Sequence, residues 1–425
     1  MLKIKSIWIY ILTFACLVSV VMGCAPAPAQ QTTPTPAAPQ ATTHTIVIGQ
    51  LMDYSGPYKT QGAVFKAAAD TFEKYYNEER GGTDGVKVKF VHYDFQNQAS
   101  VATTAVKQGN LDSKPQAWVC AYSNAINAAK KQCLADQSLM VGLPNAQGLA
   151  DPNSFVLITR PLYEEEFVGA LGYLGSSWKG IGKMKWASVS IEGMPSAVSL
   201  TKSAAPISQQ TNTEYLYTEW VPVAWSDPGP VVTKIASNMP DVLWIGHIDP
   251  GVALLMKAMA ERDLLGKVTP YVTCHAGPSF VRKLTGNDII DGLLVSSPYA
   301  SYTQADKIPI MATAIKLLKQ TAPELYPPDL LFMQAWVNYL TITEGTTLAA
   351  KKVGWDKLKS ADIRDLLISG VKIDTGGLSQ PLYWEGPSYS RALHSDQLVR
   401  ETKTGEEVMS PWYKLVDWNK DIEKK

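Results

Sequence analysis

The chain has 425 residues, of which 46% are hydrophobic and 18% charged, enough apolar material to bury sizeable cores, which excludes a wholly disordered protein. Lys+Arg and Asp+Glu both number 39, so the formal net charge is zero and no basic field exists to hold a nucleic acid backbone. Mean hydropathy is −0.07, and the one long apolar run lies at the start, which excludes a polytopic membrane protein.

That run, Ile7–Gly23, follows Lys3 and Lys5. A cationic start before an apolar stretch has the layout of an export signal, and the run falls short of the roughly 20 apolar residues that span a bilayer. Val21-Met22-Gly23-Cys24 resembles the bacterial lipoprotein processing box, with Val where Leu is usual. The resemblance implies that residues 1–23 are a signal peptide and that Cys24 is lipidated. Residues 24–44 then form a tether: Ala25–His44 holds Pro26, Pro28, Pro34, Pro36 and Pro39 and no Lys, Arg or acidic residue. Such composition stays extended, at roughly 3.1 Å per residue, or about 60 Å in all. Loss of the leader removes Lys3, Lys5 and Cys16, leaving 37 basic against 39 acidic residues. With Cys24 lipidated, Cys120, Cys133 and Cys274 remain, too few for a disulfide scaffold and without zinc-ligand spacing, so free thiols are expected.

The body alternates. Thr45–Leu51 reads as a strand, Gln61–Glu79 as a helix stopped by Gly81-Gly82, Val86–Asp94 as a period-two strand and Ala99–Leu111 as a helix. Ala117–Ala121 and Leu139–Leu143 are short apolar strands flanking a helix over Asn124–Asp136. The rhythm resumes with strands at Lys185–Ile191, Glu214–Val221, Asp241–Ile245 and Val268–Thr273, and helices at Tyr163–Ser176, Gly229–Asn238 and Pro250–Arg262. This pattern predicts an α/β chain with two runs of four strands, hence two parallel sheets covered on both faces, with a break near Arg160-Pro161.

Parallel sheets place ligands beyond the carboxyl ends of their strands. In the first half those loops carry Tyr54, Ser55, Tyr122, Ser123, Asn145, Ala146 and Gln147, with Gln61 opening the helix after the first loop; in the second half they carry Glu192, His247 and His275. Tyr299 follows the later Gly292–Pro298 stretch. The set is rich in hydroxyls, amides and aromatics and poor in coupled catalytic groups. No nucleophile elbow, phosphate loop, His-Glu-x-x-His or Cys-x-x-Cys occurs. The five histidines, at 44, 92, 247, 275 and 394, form no metal-ligand pair. No enzyme activity, cofactor or metal is expected. The remaining enzymatic alternative is a serine hydrolase, which needs Ser123 and His275 within hydrogen-bond reach. Ser123 has a second structural reading as the cap of the following helix.

The stretch Gly49–Pro57 with Gly62 resembles the first strand, loop and helix of the branched-chain amino acid (Leu/Ile/Val) binding proteins, type I periplasmic binding proteins that serve ABC importers. Tyr93-Asp94 before a Gln-bearing helix, Met140–Asp151, Gly292–Pro298 and Gly376–Gly386 fall in that family's order. The resemblance implies two Rossmann-like lobes joined by a three-strand hinge, with crossings near Arg160, Pro298 and Ser379. Lobe one would be 45–160 with 299–378, lobe two 161–298 with 379–412, and 413–425 a tail. It also implies a monomer outside the cytoplasm that captures a small organic solute (an amino acid, amide or organic acid) and delivers it to an ABC permease. The alternative is a ligand-sensing domain working with a separate membrane receptor.

By the same resemblance Ser123 matches a carboxylate-binding serine, Asn145–Gln147 occupy a second carboxylate loop with amides in place of a hydroxyl, and His247 falls near an aromatic position. Where amino-acid binders present an acid to the ligand ammonium, this chain has Cys274-His275. The expected ligand is therefore a carboxylate or amide without an obligatory α-ammonium, unless Glu192 supplies the missing charge.

Overall fold

The computed structural model describes residues 43–80, 85–144, 148–385 and 391–422, and residues 42–425 form one compact unit. The leader, Cys24 and the Pro-rich stretch lie outside the described residues.

Five strands make the first sheet: β1 (His44–Met52), β2 (Val86–Asp94), β3 (Ala117–Cys120), β4 (Met140–Gly142) and β5 (Val156–Ile158). They are all parallel, in the order β2-β1-β3-β4-β5. Parallel strands need crossover helices, here α1 (Lys59–Lys74), α2 (Ala99–Asp112) and α3 (Ser123–Asp136). The helix expected over 61–79 ends as α at Lys74 and continues as a widened π turn, Tyr75–Glu79. β5 is the strand the sequence pattern missed, because three residues carry no periodicity. Trp118, wholly buried in β3, explains two glycines: a Cβ at Gly49 or Gly109 would run into its indole ring, whose Nε1 donates to Asn110 at 2.8 Å.

The chain then enters the second layer system through α4 (Tyr163–Ser176). Its strands are β6 (Met184–Ile191), β7 (Thr213–Val221), β8 (Val242–Gly246), β9 (Thr269–Val272) and β10 (Leu294–Ser297), mutually parallel. Between them run α5 (Pro195–Lys202), α6 (Ala204–Thr211), α7 (Gly229–Asn238), α8 (Asp249–Ala260), α9 (Pro278–Thr285) and the single turn α10 (Asn287–Ile290). After β10 the chain returns to the first layer as α11 (Pro309–Thr321), α12 (Leu330–Val353) and α13 (Ser360–Ile368). α12 begins at Asp329, whose carboxylate caps the Leu331 amide at 2.9 Å, and stops at Gly354, φ 85°.

Residues Leu378, Leu382, Trp384, Ala392 and Leu393 still pack in the first core. β11 (Ser395–Thr402), β12 (Gly405–Val408) and β13 (Tyr413–Lys414) then close the second sheet, β11 lying antiparallel to β10. The second sheet is thus mixed and eight-stranded, where four parallel strands were expected: β10 adds a fifth parallel strand, three more strands come from the last part of the chain, and antiparallel neighbours need no covering helix between them. It separates two cores, one around Val189, Ile245 and Met256, the other around Phe167, Trp186, Trp244 and Tyr271. Three segments therefore pass between the layers. The first and third are stitched together by Thr159, whose carbonyl accepts from Ala392 (3.0 Å) and Leu393 (2.8 Å).

Candidate functional site

The carboxyl ends of both parallel runs carry the residues singled out from sequence, but the structure uses them unequally. At the end of β1 the chain turns around two carboxylates. Buried Asp53 accepts from the Gly56 amide at 2.5 Å and the Tyr58 amide at 3.0 Å. Asp94 accepts from the Tyr54 amide (2.9 Å), the Ser55 hydroxyl (2.5 Å) and the Gln96 amide (3.1 Å). Desolvation works against its charge, yet Ser55 and the amides outweigh it and hold Asp94 below the usual carboxylate range. A Cβ on Gly62 would collide with the Asp53 carbonyl, so that position requires glycine.

This rim is fixed before any ligand arrives, and it spends some of the expected contacts. The Tyr54 hydroxyl is turned inward, donating to Gln50 Oε1 at 2.8 Å and lying 3.0 Å from His92 Nδ1. Ser55 is exposed with its hydroxyl on Asp94. Gln61 is half-buried in the first turn of α1.

At the end of β3, Tyr122 is the N-cap residue of α3 and Ser123 its first helical residue, without a side-chain capping bond. The cap reading of Ser123 is therefore wrong. Its half-buried hydroxyl has no hydrogen-bond partner among the described residues. The Tyr122 ring packs between Tyr58 (centroids 5.5 Å) and Phe95 (5.2 Å), and its buried hydroxyl has no hydrogen-bond partner among the described residues. Asn145, Ala146 and Gln147 lie outside the described residues; just before them, the Leu143 carbonyl accepts from Gln334 of α12 at 2.8 Å.

On the second sheet, His247 and His275 come together because they follow the neighbouring strands β8 and β9. His247 is 2% exposed, with Nε2 and Nδ1 each 3.3 Å from backbone carbonyls of Pro222 and Ile248, and Trp225 at 5.9 Å. His275 is half-buried: Nε2 lies 3.0 Å from the His247 carbonyl, Nδ1 2.5 Å from Thr273 Oγ1. Burial, then the nearby Arg160 charge, push its imidazole down to about 3. Both nitrogens are occupied, and neither bond goes to Ser123. Glu192 is exposed, in the loop after β6 next to the β8 loop that carries His247, with its amide on the Val221 carbonyl at 2.9 Å. Tyr299 is wholly buried, its carbonyl fastened by Ser297 Oγ (2.6 Å) and Gln397 Nε2 (2.9 Å), so it belongs to the second connecting segment rather than to an open wall.

The position expected to lack an acid does have one behind it. Glu166, from α4, accepts from the Cys274 amide at 3.0 Å and pairs with Arg160 through Nε at 2.8 Å and Nη2 at 3.1 Å. The Arg160 guanidinium also lies 4.5 Å over the Tyr163 ring. Sequence reasoning missed Glu166, Tyr163 and Tyr58. The one available signal was Glu164–Glu166, three acids opening an apolar helix whose first turn is buried. Cys120, Cys133 and Cys274 are buried free thiols; burial pushes Cys120 and Cys133 up to about 12, so neither is a nucleophile at neutral pH.

A separate cavity of about 90 Å³ opens where α9 meets the start of α12, lined by Ser279, Arg282, Tyr302, Asp329, Glu401 and Glu406 among others. None of the residues chosen from sequence lines it. Among the described residues no group of His, Cys, Asp and Glu could hold a metal ion, and no helix is long and apolar enough to cross a membrane.

A family model described as periplasmic binding protein matches residues 45–395. Among solved structures the chain is similar to an ABC transporter substrate-binding protein from Aeropyrum pernix, at 17% identity and TM-score 0.72, covering 89% of this chain and 98% of that one. It is similar also to a branched-chain amino acid ABC transporter protein from Thermus thermophilus with bound valine, at 14% identity and TM-score 0.73, covering 88% and 97%. A fatty acid ABC transporter substrate-binding protein from Thermomonospora curvata aligns at 15% identity and TM-score 0.70, covering 88% and 94%. No curated protein matches the chain.

Proposed function

Because the chain belongs to the periplasmic binding protein family, and is a substrate-binding protein of the ABC transporter type, we propose that it captures a small organic solute between its two layer systems and delivers it to an import permease. The lobes of this reading are 45–160 with 299–378 and 161–298 with 379–412, closing over the solute as a hinge. Residues 1–23 direct export, Cys24 is lipidated, and 24–44 tether a monomeric body outside the cytoplasm. No chemistry is performed on the solute: the one imidazole that could serve Ser123 has both nitrogens bound elsewhere.

The solute carries a carboxylate or amide and needs no α-ammonium. The observation that carries this is the Arg160–Glu166 pair beside Cys274. A buried ammonium needs an uncommitted anion. Glu166 is already neutralised by Arg160, His275 is uncharged, and Glu192 stands exposed to water rather than buried. The Ser123 hydroxyl remains to receive an acceptor.

A thermal-shift screen against amino acids, amides, aromatic acids and short carboxylates tests the proposal. A ligand at one hundred times its Kd stabilises by roughly 2.7 kcal/mol. A shift by a carboxylate or amide that its α-amino analogue does not match is the expected result; shifts by amino acids alone, abolished by Glu192→Gln, overturn the ligand class.

A further inference from the structure

We infer that the solute carries a planar aromatic ring, read by a wall that Tyr163 and His275 build at the carboxyl end of β9. The inference rests on the solute-binding reading above and narrows it.

The hydrogen-bond partners of His275 fix where its ring proton lies. A carbonyl oxygen only accepts, so the nitrogen 3.0 Å from the His247 carbonyl, Nε2, carries the hydrogen. Nδ1 is then the acceptor for the Thr273 hydroxyl at 2.5 Å. The low value to which burial drives this imidazole leaves that single neutral tautomer at neutral pH. A histidine that reaches the surface in part would ordinarily offer a donor or an acceptor to a ligand. This one has neither left, and what it presents is ring surface.

Tyr163 completes the wall. Its ring meets His275 edge-on, at 5.6 Å and 82° between planes, and like that ring is mostly buried with a small part reaching the surface. Two rings at right angles offer one face and one edge, the arrangement that takes a third ring by offset stacking and edge contact together. An aliphatic chain fills the same space without matching the ring quadrupoles. The Arg160 guanidinium lies 4.5 Å over the Tyr163 ring, but its charge is held by Glu166, so the wall remains without net charge. On the first sheet, half-buried Tyr58 is fixed by the bond from its amide to Asp53.

The test is calorimetric titration of the full chain, purified in detergent, with phenylacetate, phenylalanine, 4-methylpentanoate and leucine. Phenylacetate should bind about tenfold or more tighter than 4-methylpentanoate, the upper reach of aromatic pair energies. His275→Leu should bring that ratio close to one. Should this variant not fold, nitrogen NMR of the unaltered protein decides the tautomer: a neutral Nε2–H ring from about pH 5 to pH 8 is expected, and a protonated or Nδ1–H ring overturns the inference. Tight binding of leucine or 4-methylpentanoate with no binding of phenylacetate overturns the aromatic assignment and leaves solute binding standing. No binding by any of the four, with no hit in the wider screen, overturns both.

Discussion

Arg160 lays Nε and Nη2 along the two carboxylate oxygens of Glu166, at 2.8 and 3.1 Å, with both side chains withdrawn from water. The pair joins the first connecting segment to α4 and, through the Cys274 amide, to the loop after β9. A second buried pair, Arg391 with Glu165, does the same for the third segment, and Glu165 also accepts from the Leu162 and Trp418 amides at 3.0 Å. The passage between the layers is thus built from ion pairs whose charges have nowhere else to go.

Glu166→Gln should accordingly destabilise the protein by about 3–5 kcal/mol, since it leaves the guanidinium buried without its counter-charge. Urea melts measure this. A loss below about 1 kcal/mol, the range of a surface pair, would show that Arg160 is solvated in solution.

Ser123→Ala and Asp329→Ala should behave in opposite ways. Ser123 makes no cap, so its loss should leave the ligand-free melting temperature almost unchanged and weaken solute binding by about 1–2 kcal/mol. Asp329 caps α12 and accepts from the Ser279 amide at 3.3 Å, so its removal should cost about 1–2 kcal/mol of stability without ligand. If Ser123→Ala lowers the melting temperature and spares affinity, the serine has no part in recognition.

His275 sets an acid-side slope. Its native value of about 3 lies below the ordinary 6.5. Between the two, the unfolded chain takes up a proton that the native ring refuses, so stability falls as pH drops from 6.5 and this contribution levels off below about 3. His275→Gln should flatten that stretch of the stability profile. Parallel denaturant melts at about pH 6.5 and pH 4.5 read the difference; identical slopes would count against a neutral native ring.

Glu406 works in the reverse sense. Burial, then the Glu401 charge, push its carboxyl up to about 8 from the ordinary 4.5. The native state holds a proton that the unfolded chain releases above 4.5, so stability is lost as pH rises from there through about 8. Glu406→Gln should gain on the unaltered protein across that window in melting temperature, and a constant offset at every pH would mean that the group does not titrate there.

Cys24→Ala should abolish lipid attachment in a bacterial host while leaving the body folded. Metabolic labelling with a fatty acid settles it, and label retained by the variant would remove Cys24 from the anchor.

Much of the architecture was legible because strand–helix alternation is a local signal. β1, β6 and β8 are short apolar runs closed by turns, and helix Gly229–Asn238 is found with the bounds its sequence predicts. His247 and His275 were each legible as residues after a strand, while their meeting needed the pairing of β8 with β9, which delivers adjacent carboxyl ends. What escaped depends on partners far along the chain. Glu166 reaches Cys274 across 108 residues, a pairing with no period. Tyr54 turns inward because Gln50 and His92 offer its hydroxyl more than the surface does. β11 escaped because its register is dictated by β10, roughly a hundred residues earlier in the chain, and β12 and β13 in turn take theirs from β11.

The late return of those three strands governs the order in which the protein can be made. The first sheet has all its strands once Ile158 is reached, yet α12, which packs against α1, begins only at Leu330. The second sheet waits longer still: until Ser395–Thr402 is in place, β10 is an open border. A nascent chain therefore carries unpaired strand amides along β10 for roughly a hundred residues of its synthesis, the condition under which edges recruit neighbouring molecules. A ribosome stalled before residue 395 would leave a product primed for aggregation, and rapid completion of the final residues protects all that precedes them.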